Sequence, residues 1–231
     1  MKEIGQIIEA ALGRGQKALS EYESKLVLAG YGIPVVQEAL VKDLGSAKKA
    51  ALQIGYPVVL KVCSPEITHK TESGLIEVDL RREADLIEAF QRLEERLAGR
   101  EVNLLIQEMV AGARELVMGM TRDPQFGPCV MFGLGGIFTE ILGDVSFRVA
   151  TITRPDALEM MAEIKGRKIL ETVRGLERVE VETLGRGLIA LGDIGLEYPS
   201  IREIDVNPLI VRGSQPVAVD ALVVLGEAQS E

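Results

Sequence analysis

A single histidine occurs among the 231 residues, in the stretch Cys63-Ser64-Pro65-Glu66-Ile67-Thr68-His69-Lys70-Thr71-Glu72-Ser73-Gly74 between two apolar runs. A neutral imidazole is a nucleophile and proton acceptor near neutral pH, which makes His69 the candidate catalytic group. Glu66 and Glu72 are both placed to orient the ring, and spacing does not choose between them. Upstream, Val58-Val59-Leu60-Lys61-Val62 puts Val59 and Lys61 on one strand face and the other three on the opposite face. An ammonium in so apolar a strand must reach water or an anion. A phosphate is the natural anion, and a lysine snorkelling from the strand end is the alternative.

Near the C-terminus, a two-residue Gly213-Ser214 turn pairs Arg212 with Gln215, and the same register places Asn207 opposite Asp220. Asp205, two residues before Asn207, shares its face. Two carboxylates and an amide oxygen are hard ligands suited to Mg²⁺ carrying nucleotide phosphates, and a solvated acidic edge is the alternative. Pro216 falls at a non-hydrogen-bonded pair, whereas Pro208 does not, which predicts a bulge or a sheet edge there.

Two further groups point toward a nucleotide. In Gln107 to Glu115 a strand meets a small-residue turn: Glu108 can accept from an exocyclic amine, the backbone of Met109, Val110 and Ala111 can bond a flat base, and Glu115 can accept from ribose hydroxyls. An exposed hairpin bend accounts for the same letters. Gly133-Leu134-Gly135-Gly136 precedes Glu140, Asp144 and Arg148. Such glycines let backbone amides approach an anion, and Arg148 can clamp a phosphate in bidentate fashion. Glycine clusters also make ordinary turns, and this run is neither a Walker loop nor a dinucleotide fingerprint.

The elements that must position these groups interleave as α/β (α+β). Ile4, Ile7, Ile8, Ala11 and Leu12 recur at helical spacing. Ser20 and Glu23 form a capping box for a second helix that Gly30 and Gly32 end. Ile33 to Val36 reads as extended, and Ser46 as the cap of a third helix reaching Gly55. Strands follow at 57–62 and 75–80, the latter with Ile76, Val78 and Leu80 on one face, then an amphipathic helix at 83–98. Further strands are expected at 103–110, 115–121, 129–132, 201–211 and 216–224, with helices near 156–164, 167–173 and 181–194.

Composition excludes several classes. A net charge of −9, from 26 Lys and Arg against 35 Asp and Glu, opposes nucleic-acid binding. Cys63 and Cys129 are far apart and suggest neither a disulfide framework nor a zinc site, so a cytoplasmic location is expected. The N-terminus lacks an apolar signal core, and no run is long enough to cross a membrane.

In chain order, Lys25 to Pro34 (Lys-x-x-Leu-x-x-x-Gly-Ile-Pro), Gly55 to Lys61, Ile67-Thr68-His69-Lys70-x-x-x-Gly74, Gln107 to Val110, Gly133 to Glu140 and Asp205-Val206-Asn207-Pro208-Leu209 resemble an ATP-grasp domain. More narrowly, they resemble the β subunit of the ADP-forming acyl-CoA synthetases, or acetate–CoA ligases, with the Thr-His-Lys motif singling out this branch. The resemblance covers nearly the whole chain from about Ser20. It implies two subdomains gripping ATP or ADP: residues 1–106, with the phosphohistidine loop, and 107–231, with the metal-binding hairpin. Lys61 would bind nucleotide phosphate, Glu108 and the Met109 to Ala111 backbone the adenine, and Glu115 the ribose. Asn207 and Asp220 would match Mg²⁺ ligands beside Asp205, and His69 the histidine that is transiently phosphorylated. A CoA-binding α subunit carrying a second phosphohistidine would be the partner, in an α₂β₂ assembly to which the Ile4, Ile7, Ile8 helix face can contribute. Leu75 departs from the pattern, where a second glycine would give the loop a hinge. The implied reaction is acyl-CoA + ADP + phosphate ⇌ acid + CoA + ATP. Other readings of the pocket are an ATP-grasp ligase that forms an acyl phosphate without His69, and a non-catalytic nucleotide-sensing subunit.

Overall fold

A computed structural model describes residues 2–65, 74–100, 102–136, 143–173 and 175–226. Two helices open the chain, α1 (Lys2–Gly13) and α2 (Glu21–Gly30). The predicted capping box starts α2: Ser20 Oγ accepts from the Glu23 amide at 3.3 Å, and the Glu23 carboxylate accepts from the Ser20 amide at 2.9 Å. Ile4, Ile8 and Ala11 of α1 are buried in a core that includes Val27 and Leu28 of α2. The Ile4 and Ile8 face is therefore spent inside the fold, which corrects its assignment as a partner surface.

The chain forms two compact units, residues 36–110 and residues 1–35 with 111–231. This differs from the expected division after residue 106, because the first 35 residues pack with the C-terminal half. The physical reason is a set of bonds to the last strands, such as the Leu19 amide to the Val223 carbonyl at 2.9 Å and the Leu225 amide to the Lys17 carbonyl at 2.8 Å.

In the 36–110 unit, the chain order is β1 (Glu38–Val41), α3 (Leu44–Ile54), β2 (Val58–Cys63), β3 (Ile76–Leu80), α4 (Glu83–Leu97) and β4 (Asn103–Glu108). The sheet runs β1-β4-β2-β3 and every ladder is antiparallel. Ala47 and Ala50 of α3, and Leu86, Phe90 and Leu93 of α4, pack with Val58, Leu60, Val62, Leu104 and Ile106 on one sheet face. Asp43, rather than Ser46, caps α3: its carboxylate accepts from the Ser46 amide at 2.7 Å, with Ser46 as the reciprocal partner three residues in. The β3 pattern also differs from strict alternation. The register slips between Val58 and Leu60, and Asp79 takes φ 56°. Leu80 is thereby buried, while Val78 is exposed.

The other unit continues with β5 (Glu115–Asp123), β6 (Gly127–Leu134), β7 (Val145–Val149), α5 (Arg154–Glu163), a 3₁₀ turn at Arg167–Leu170, α6 (Val181–Glu197), β8 (Ile201–Arg212), β9 (Gln215–Ala218) and β10 (Leu222–Leu225). The sheet order is β10-β8-β5-β6-β7, with β9 also on β8, again antiparallel throughout. One face carries the helices: Met118, Met120, Val130, Phe132, Ile204, Val206 and Val223 share a core with α1, α2, α5 and α6. Gly195 lets α6 sit close, since a Cβ there would lie 2.8 Å from Pro128 Cβ and 3.2 Å from the Met120 side chain. β7 was not anticipated, and the helix expected at 167–173 is only the short 3₁₀ turn.

Candidate functional site

Paired residues in an antiparallel ladder share a sheet face. Asp205 pairs with Gly119, Gly119 with Met131, and Met131 with Phe147, so these residues lie on the face opposite the helix core. Glu115 falls on that same helix-free face by alternation along β5. The last hairpin keeps one register from the turn to the Glu203–Val224 pair: Arg212 pairs with Gln215, Leu209 with Ala218 and Asp205 with Leu222. Residues 219–221 interrupt the strand without changing that register, so Asn207 lies across from Asp220, as the turn predicted. A ladder bond from the Val219 amide to the Pro208 carbonyl, 3.0 Å, spans the interruption.

Pro208 produces the predicted bulge. On β5 a single residue separates Leu116 from Met118, whereas two residues, Asn207 and Pro208, separate their β8 partners. The bulge re-aims β8 where Asn207 sits, as bulges do beside functional sites. Asp205 is pushed up to about 6, first by burial and then by the charges of Glu203 and Asp220. A face that gathers carboxylates around a half-buried aspartate, with Asn207 two residues further along the same strand, fits a divalent cation. Among the described residues no group of three or more His, Cys, Asp or Glu forms a metal site, and the candidate set has two carboxylates with one amide.

Arg148 does not belong to this set. It pairs with Val130 and lies two residues from Ser146, whose hydroxyl donates to the Met160 carbonyl of α5 at 2.9 Å. Its guanidinium is bidentate on Glu163, at 2.9 and 2.5 Å. Arg148 therefore faces the helices, on the opposite side of the sheet from Asp205, and is withdrawn as a phosphate clamp.

The glycine run is explained by packing. The Gly135 amide donates to the Glu115 carbonyl at 2.9 Å, and the Leu134 amide to the Asp144 carbonyl at 3.3 Å, so neither is available to an anion. A Cβ on Gly135 would lie 2.7 Å from the Leu116 carbonyl oxygen, and one on Gly136, at φ 61°, would lie 2.6 Å from Glu115 Oε2. The run thus lies against Glu115. Asp144 is structural as well: its carboxylate accepts from the Lys165 and Gly166 amides at 2.7 and 2.6 Å.

In the 36–110 unit, Lys61 is 3% exposed and stands between Leu105 and Ile76. Val58, Leu60 and Val62 enter the helix-side core while Val59 and Lys61 do not, which matches the predicted alternation. Glu108 ends β4, where its Oε1 accepts from the Gln37 amide at 2.9 Å. The Met109 amide donates to the Pro57 carbonyl at 3.1 Å, which removes it from the donors offered to a base. Val110 is buried and Ala111 exposed. His69, Glu66, Glu72 and Glu140 lie outside the described residues. Sequence reasoning missed Lys25 and Glu21, a buried pair whose spacing of four on α2 was the available signal.

A family model described as an ATP-grasp domain matches residues 10–225. Acetate–CoA ligase [ADP-forming] I subunit beta of Pyrococcus furiosus is 43% identical over 225 residues, covering 95% of this chain and 97% of that one. Solved structures of a dinucleotide-forming acetyl-coenzyme A synthetase 1 from Ca. Korarchaeum cryptofilum are also similar. The complex with coenzyme A, Ca-AMPCP and HgCl⁺ superposes with a TM-score of 0.91 at 40% identity, over 96% of this chain and 99% of that one. A second, in complex with coenzyme A and Mg-AMPPCP, has its phosphohistidine segment pointing towards the nucleotide binding site; its TM-score is 0.86 at 40% identity, over 96% of this chain and all of that one.

Proposed function

Since the chain belongs to the ATP-grasp family, in the branch of the ADP-forming acetate–CoA ligase β subunits, we propose that it is the nucleotide-binding subunit of an ADP-forming acyl-CoA synthetase. The observation that carries this reading is the end-to-end match to a chain named as such a subunit. The reaction is acyl-CoA + ADP + phosphate ⇌ acid + CoA + ATP. A CoA-binding α subunit forms the acyl phosphate and passes its phosphoryl group, by way of a histidine of its own, to His69, in an α₂β₂ assembly.

On this chain the step is transfer from phosphohistidine to ADP: the N–P bond to His69 breaks as a β-phosphate oxygen of ADP forms the new P–O bond. Imidazole leaves neutral once it has a proton, so the demand on the protein is placement and charge compensation. Lys61 supplies a buried cation for the nucleotide phosphates. Glu108, fixed through Gln37, and the Val110 and Ala111 backbone receive the adenine, and Glu115 the ribose. Asp205, Asn207 and Asp220 would hold Mg²⁺, which when bound offsets phosphate charge. Among the described residues no helix is long and apolar enough to cross a membrane.

The test is reconstitution with a candidate α chain. ATP formation from acetyl-CoA, ADP and phosphate is expected only when both chains are present; ATP formation by the α chain alone contradicts the assignment.

A further inference from the structure

Resting on the reading of Asp220 as a metal ligand, we propose that the buried Lys25–Glu21 pair is a positioning device for the strand break that presents Asp220. Both side chains are 1% exposed and 2.8 Å apart. Lys25 Nζ also donates to the carbonyl of Val219, 3.2 Å away and the residue before Asp220. A buried ion pair is weak evidence for stability, because desolvation of both ions offsets their attraction, and apolar replacements are often tolerated. What this pair specifies is a position.

The surrounding bonds show what is being held. Residues 17–35 bracket the interrupted strand on both sides of Val219-Asp220-Ala221. Before the break, the Ala218 amide donates to the Pro34 carbonyl at 2.8 Å, and Val35 bridges Ala218. After it, the Leu19 amide donates to the Val223 carbonyl at 2.9 Å, the Val223 amide to Ser24 Oγ at 3.1 Å, and the Leu225 amide to the Lys17 carbonyl at 2.8 Å. Within the break, Asp220 Oδ1 accepts from the Ala221 amide at 2.8 Å, and Lys25 reaches the Val219 carbonyl. The break leaves this carbonyl outside the regular β8 ladder, and the lysine fixes its direction. The Asp220 backbone, and with it the carboxylate, follows. Outer partners that orient a metal ligand change metal affinity by about 10- to 100-fold when removed.

The experiment measures Mn²⁺ binding to the full chain by electron paramagnetic resonance, with and without saturating ADP. Lys25→Met/Glu21→Leu removes both charges of the pair together, so a purely structural role predicts wild-type Mn²⁺ affinity. Positioning predicts a thermal midpoint close to wild type, ADP affinity without metal within twofold, and Mn²⁺ affinity weaker by about tenfold. Mn²⁺ affinity within twofold of wild type overturns the proposal. Should that variant not fold, Lys25→Arg keeps the charge while displacing the donor; a threefold or greater loss is expected, and unchanged affinity overturns the proposal. Asp220→Asn in parallel separates the failures. If it leaves Mn²⁺ binding intact, the metal assignment falls and the proposal with it. If it weakens Mn²⁺ while the Lys25 variants do not, only the positioning role falls.

Discussion

Replacing Gly135 with alanine distinguishes a packing role for the glycine run from an anion-binding one. The added Cβ would meet the Leu116 carbonyl oxygen at 2.7 Å and the Glu115 and Leu116 carbonyl carbons at 2.8 and 2.9 Å. All three are backbone atoms of β5, which is bonded to β6 on one edge and β8 on the other and cannot slide alone. Reaching ordinary contact near 3.4 Å takes a shift of roughly 0.7 Å at the start of β5. Overpacking of this kind costs about 1–3 kcal/mol. For a chain of this length that lowers the thermal midpoint by roughly 2–12 °C. Glu115 moves with the displaced backbone, so ADP affinity falls together with stability. Gly127→Ala is the comparison: φ is 74° but no atom lies within 4 Å, so backbone strain costs about 1–2 kcal/mol and ADP binding is unchanged. Circular dichroism melts and titration calorimetry with ADP read both quantities. A Gly135→Ala chain as stable as wild type that has lost ADP binding would refute the packing account and return the run to the phosphates.

Three further outcomes follow from the same geometry. Arg148→Gln leaves ADP affinity within twofold of wild type by calorimetry, because its guanidinium is held by Glu163 on the helix side; a tenfold loss would restore it to the nucleotide. Ile8→Ala, at a side chain 2% exposed, costs roughly 2–5 kcal/mol in denaturant unfolding, and a change below 0.5 kcal/mol, on the order of a surface substitution, would return α1 to the role of contact surface. The Asp205 carboxyl is raised from 3.8 to about 6, so its contribution to metal-free stability is fully present below pH 4 and lost as pH rises through about 6. Urea unfolding of wild type relative to Asp205→Asn should show that advantage disappearing between these values; a pH-independent difference contradicts the partial burial of Asp205 and its crowding by Glu203 and Asp220.

The features legible in the sequence were those governed by local rules. The Ser20–Glu23 box, the face alternation around Lys61 and the Gly213-Ser214 turn each depend on a few neighbouring residues, and all recur in the fold. One register argument, carried six residues from that turn, brought Asn207 to Asp220. Errors arose where two locally equivalent choices are separated only by tertiary contacts. Asp43 and Ser46 both suit a cap, and the strand geometry upstream selects Asp43. Arg148 was read as a phosphate ligand because its strand, β7, was not anticipated; once β7 pairs with β6, alternation sends the side chain to α5. The association of residues 1–35 with the C-terminal half is set by bonds to residues nearly two hundred positions away, such as Ser24 with Val223, which no spacing rule reaches.

The central claim is that His69 carries phosphoryl groups to and from the nucleotide on this chain. Incubation with γ-labelled ATP and Mg²⁺ measures it directly. A phosphoryl adduct labile to acid, stable to base, discharged by added ADP and absent from His69→Ala is the predicted result. No label on the wild-type chain, with the partner subunit present, would contradict the account.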